Sequence, residues 1–129
     1  MLIQTRATLR EAGEKDLQKL ANLIHFEAYV HRHLDYRPPL DWVGEQPFLV
    51  LERQNSLAAA LACPPDPAEV AWVRLFAATH GSLERMWNLL WPECKNRLAQ
   101  DPRVRWAAAI PMTPWFESLL IHSSFAQTH

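Results

Sequence analysis

RLFAATHGSLERMWNLL, residues 74–90, joins a strand-like run, Arg74 to Ala78, to a helix-like run, Leu83 to Leu90, through Thr79, His80, Gly81 and Ser82. Unpaired N–H groups and the dipole at such a helix start favour an anion. The fold depends on what flanks this junction. Downstream, Leu83, Met86, Trp87, Leu90, Trp91, Cys94 and Leu98 hold one helical face across Pro92, which predicts a single kinked helix over 82–100, ended by Asp101-Pro102. Upstream, Val70, Trp72, Arg74 and Phe76 alternate with Ala71, Val73, Leu75 and Ala77, and both faces are mostly apolar. That pattern predicts a central strand over 70–78.

Beyond the helix, Val104 to Ile110 reads as a strand, Pro111 to Pro114 as a turn, and Trp115 to His122 as a last helix with Phe116, Leu119 and Leu120 inward. Before the central strand, CPPDPAE (63–69) is a rigid connection, and FLVLERQ and LAAALAC form a hairpin through Gln54-Asn55-Ser56. Leu17, Leu20, Ala21, Ile24 and Ala28 predict an amphipathic helix from Asp16 to about Arg32, closed off by Pro38-Pro39, with a short helical turn around Leu40 to Gly44. Thr5 to Arg10 is a first strand. The order strand, helix, strand, strand, strand, helix, strand, helix implies an α/β (α+β) fold: a mixed, mostly antiparallel sheet of about five strands with helices on both faces.

A chain of 129 residues builds one domain with its own core. Its 49% hydrophobic and 21% charged residues are globular values, and 6 tryptophans demand packing partners. A net charge of −1 gives no long-range pull on nucleic acid, and the small basic cluster Lys95, Arg97, Arg103 and Arg105 is interrupted by Asp101. Cys63 and Cys94 lack metal-ligand spacing and read as free thiols of a reducing cytoplasm. No apolar run reaches a membrane span and the first residues carry no signal-peptide core, so the expectation is a cytoplasmic protein with no membrane or nucleic-acid partner.

With that element order the chain resembles the GNAT acyl-CoA N-acyltransferase superfamily over nearly all its length. TLREAGEKDLQKLANLI is similar to the family's first strand and helix, FLVLERQNSLAAALAC to its second and third strands, EVAWVRLFA to its fourth and VRWAAAIPM to its fifth. The resemblance implies that the fourth and fifth strands splay and that acetyl-CoA, as co-substrate, lays its pantetheine arm in the opening. Leu75, Phe76 and Ala77 would then bond the arm through their backbone, and His80, Gly81, Ser82 and Arg85 would meet the pyrophosphate. It also places His33, Asp35, Tyr36, Asp41 and Trp42, in HRHLDYRPPLDW, on the side of a small amine or peptide acceptor.

Several departures accompany the likeness. Only Gly81 stands in the family's glycine-rich loop, and Glu84 brings a carboxylate to the first turn of the helix. The family's general-acid tyrosine falls at Leu120 and its asparagine at Thr113. The chain stops where the family continues through two more strands, so residues 1–129 are expected to form a degenerate, C-terminally short GNAT-like domain. Its fifth-strand edge would be covered by self-association or by a continuation of the chain. The alternative to catalysis is a non-catalytic GNAT-fold interaction module. For proton removal from an amine, Glu52 and His80 are the catalytic candidates, with Glu69 beside them. Charge on Glu52 and Arg74 is otherwise read as an ion pair or a sheet-edge feature. His25, His31 and His33 do not share a helical face, and no metal is expected. No nucleophile motif supports a hydrolase.

Overall fold

The computed structural model describes residues 7–27, 29–35, 37–79 and 83–127. Its elements are β1 (Ala7–Glu11), α1 (Leu17–Phe26), β2 (Tyr29–Arg32), β3 (Phe48–Arg53), β4 (Ser56–Ala62), β5 (Val70–Trp72), β6 (Leu75–Ala78), α2 (Leu83–Ala99), β7 (Trp106–Ala108) and α3 (Pro114–His122), with 3₁₀ turns at Glu14–Asp16 and Pro39–Trp42. Five strands form an antiparallel sheet in the order β1-β3-β4-β6-β2, and β5 pairs in parallel with β7. The β3–β4 hairpin turns on Gln54 and Asn55, at φ of 51° and 64°, the left-handed pair that matches strand twist in a two-residue loop.

Period-two burial divides the core between the two faces of the sheet. Val50, Ala60, Ala62, Leu75 and Ala77 pack with Leu20 and Leu23 of α1 and with Trp42. Leu49, Leu51, Ala59, Leu61, Phe76 and Ala78 pack with α2 and α3 on the other side. The apolar stripe of α2 runs through Met86, Trp87, Leu90, Trp91, Cys94 and Leu98 without interruption at Pro92, as its spacing predicts. Trp87 sits at the centre, edge-on to Phe76 at 5.2 Å and to Phe116 at 5.7 Å, stacked on Trp91 at 5.5 Å, with its indole N–H donating to Ser123 Oγ at 2.7 Å.

Three expectations are corrected. The first helix ends at Phe26, where the N–H of Glu27 makes its last bond to Leu23 O, and residues 29–32 form a strand. Tyr29 and Val30 suit a pleated surface, and the edge of β6 supplies a ladder that outweighs local helical spacing. The second correction concerns the central strand, which is broken into β5 and β6 at Val73 and Arg74. The third is the length of the strand expected over 104–110, which spans only Trp106–Ala108 and lies outside the five-stranded sheet.

The break has a definite geometry. Val73 N–H donates to Ala108 O, whereas Arg74 N–H donates to Ala62 O in β4, so the two N–H groups face opposite edges. Arg74 C=O, which a regular strand would aim with its own N–H, instead accepts from His33 N–H. One edge of strand 70–78 is therefore shared: β7 takes its first half and β2 its second.

Candidate functional site

The elements around that shared edge bring together several side chains of segment 33–42. Asp35 follows β2, and its carboxylate accepts from Arg74 at 3.0 Å, from the Trp42 indole at 2.9 Å and from Arg37 N–H at 3.1 Å. Arg74 also donates to Asp66 O at 3.0 Å. The Asp35 and Arg74 side chains are only 6% and 7% exposed. Both Arg37 and Arg74 set their guanidinium groups over the Trp42 ring, at 3.8 and 4.3 Å. Trp42 is itself completely buried, so it is a core platform for these cations rather than an open surface. Burial pushes the Asp35 carboxyl up, but the Arg37 N–H, the Trp42 indole and the charge of Arg74 prevail and hold it below the ordinary carboxylate range.

Two histidines line β2 and its end. His31 is 2% exposed and stacks on Phe116 at 3.8 Å, with Nε2 3.1 Å from Val73 O and Nδ1 without a partner among the described residues. Burial drives its pKa down to about 4 against the pull of Val73 O, with His33 adding to the fall. His33 lies beside Trp72, ring centroids 5.0 Å apart. Burial and the neighbouring Arg74 lower its affinity for a proton and Asp35 opposes them, which leaves its pKa below the ordinary histidine value. Asp41 is exposed, and its carbonyl accepts from Arg37 at 2.6 Å.

Other candidates lie elsewhere. Glu52 sits on β3, two strands from β6 in the sheet order, and accepts from Arg10 at 3.2 Å. Arg10 is held in turn by both oxygens of Asp16 at 2.8 Å. Glu69 gives its carbonyl to the N–H groups of Arg105 and Trp106. Arg85 and Glu84 are both exposed on the first turn of α2. His80, Gly81, Ser82 and Tyr36 lie outside the described residues, and the anion question of the opening stretch lies there with them. Leu75, Phe76 and Ala77 are buried in β6 with partners on both edges. Among the described residues no three His, Cys, Asp or Glu side chains converge as metal ligands, and no helix is long and apolar enough to cross a membrane. Cys63 and Cys94 are buried free thiols.

The Arg74–Asp35–Trp42 assembly was only half visible in sequence. An arginine on an apolar strand demands a partner, but nothing in the spacing selects Asp35 over Glu52.

No family model and no curated protein matches the chain. Its fold is similar to that of N-acetylglutamate synthase from Neisseria gonorrhoeae, solved in complex with coenzyme A and N-acetyl-glutamate, at a TM-score of 0.60 and 16% identity. The match covers 90% of this chain and 28% of that one, so this chain spans under a third of the length of the protein it resembles.

The pH dependence of His31 follows from its burial. The ordinary pKa is 6.5 and the folded value about 4, so its contribution is complete above pH 6.5 and is lost as the pH falls towards 4, by at most about 3 kcal/mol. Urea unfolding of the wild type and His31→Phe at pH 7 and pH 4.5 isolates this effect. The variant should lose less stability over that window, whereas parallel losses would contradict the burial argument. At this level of identity the structural likeness concerns the fold, and the chain's architecture is GNAT-like.

Proposed function

We propose that this chain is a GNAT-type acyltransferase domain, passing an acyl group from acetyl-CoA or a related acyl-CoA to the amine of a small molecule or peptide. The supporting observation is the parting of two strands. β5 and β7 pair only as far as Trp72 and Ala108, Val73 N–H makes the last bond, and the chain then turns away into the other sheet as β6. Such a divergence suits an extended thioester carrier, and the neighbour's complex with coenzyme A supports the same ligand chemistry.

In this reading the pantetheine arm runs along Leu75, Phe76 and Ala77 and bonds the backbone of Phe76 and Ala78, whose groups face the β2 edge, while those of Leu75 and Ala77 face β4. His80, Gly81, Ser82 and Arg85 meet the pyrophosphate, and the segment with His33, Asp35, Tyr36 and Asp41 faces the acceptor, with buried Trp42 as its support. The amine attacks the thioester carbonyl, the C–N bond forms, the C–S bond breaks and the thiolate leaves. A base must take the proton from the attacking nitrogen. Glu52 has its carboxylate committed to Arg10, which leaves His80 as the candidate for that role. Titration calorimetry with acetyl-CoA should give saturable heat within the millimolar range of ligand. A flat trace with acetyl-, propionyl- and free CoA would contradict the reading.

A second reading, an interaction module, is favoured by the surroundings of β7. Over one face of the β5–β7 pair lies a groove of about 960 Å³ with Trp72, Trp91, Trp106, Leu120, Ile121 and Phe125 in its walls, and Trp106 is 67% exposed. Among the described residues β7 has no partner but β5. An apolar groove beside an open strand edge suits a second copy of this chain pairing along β7. Analytical ultracentrifugation should then find a concentration-dependent dimer that Trp106→Asp disperses. A strict monomer at high concentration would remove this reading.

A further inference from the structure

The edge of β6 that the acyl-CoA reading assigns to the carrier is occupied by the chain itself. Tyr29, Val30, His31 and Arg32 lie opposite Ala78, Ala77, Phe76 and Leu75, and His33 N–H extends the ladder to Arg74 O. The opposite edge of β6 is bonded to β4 from Ala59 to Ala62. An extended arm bearing amide groups would need the backbone positions that β2 now fills.

The hold of β2 is short and uneven. Of its four residues only His31 is buried, and one nitrogen of that imidazole has no partner among the described residues. Tyr29 adds an edge contact to Trp115 at 5.5 Å. β2 ends the sheet, so its release breaks one ladder rather than two. Its far end is tied down by the buried Asp35–Arg74 pair, which fixes a point about which the segment can swing. Phe26 and Leu34, on either side of it, are 75% and 67% exposed, large apolar side chains that the present position leaves in solvent.

We infer that residues 29–33 form an intramolecular strap that competes with the pantetheine arm for the edge of β6, and that the carrier enters only when β2 peels away. This rests on the acyl-CoA reading above. Exchanging one set of backbone hydrogen bonds for another is close to neutral, so the barrier to entry lies in side-chain contacts, among them the His31–Phe116 stack, the His31 Nε2–Val73 O hydrogen bond and the Tyr29–Trp115 contact. Carrier affinity is reduced in proportion to the fraction of molecules with the strap open.

The test uses the whole chain, free CoA as the probe, and two readouts: calorimetry and amide hydrogen exchange. In the wild type, saturating CoA should speed exchange across residues 29–33 while residues 75–78 stay protected. His31→Pro removes the N–H next in the ladder after that of His33, together with the buried stack, and should bind CoA about tenfold or more tightly than the wild type. If CoA binds both proteins equally and leaves exchange at 29–33 unchanged, the strap is overturned and the acyl-CoA reading stands. If the variant keeps a protected core, exchanges freely at 29–33 and still binds no CoA, the acyl-CoA reading falls and the strap with it. Should His31→Pro not fold, the exchange response of the wild type decides alone.

Discussion

Strand 70–78 serves two sheets, and the rest of the molecule is arranged around the residue where it changes partners. Arg74 sends its N–H to β4 and its C=O to His33, a division that a regular strand does not permit. This irregularity lets β7 hold the first half of one edge and β2 the second. It also sets the position of α3, whose Trp115 and Phe116 receive Tyr29 and His31 from β2. Without the turn at Arg74, β7 would have the whole edge and β2 would have no ladder to join.

A charged side chain at such a point carries a large desolvation penalty, which the structure meets with several partners at once. Asp35 supplies the opposite charge, Asp66 a carbonyl and Trp42 an aromatic face. A buried ion pair contributes little net stability, while loss of one partner alone costs about 3–5 kcal/mol. The pair therefore acts chiefly as a locator. It fixes the segment after β2 against the irregular strand, and β2 follows in register.

Much of this architecture was legible in the sequence. The stripe on α2, the hairpin at Gln54-Asn55 and the inward face of α3 all follow from periodicity and turn chemistry, because burial on one face decides each of them locally. β2 was not legible. Residues 29–32 continue a helical stretch, and only the unfilled edge of β6, more than 40 residues away, selects the extended form. The surroundings of Arg74 were less legible. Of segment 33–42, His33, Asp35 and Trp42 meet the irregular strand, yet Trp42 is core, and the partner of Arg74 is Asp35 rather than Glu52 because three-dimensional register, not sequence distance, assigns ion pairs.

The arrangement of strands around Arg74 is most directly tested by nuclear Overhauser contacts in isotopically labelled, ligand-free protein. The account predicts cross-strand contacts from residues 29–33 to residues 74–78 in antiparallel register, with contacts from 106–108 confined to 70–73. Helical contacts running through residues 27–32, together with cross-strand contacts between 75–78 and 108–110, would contradict it.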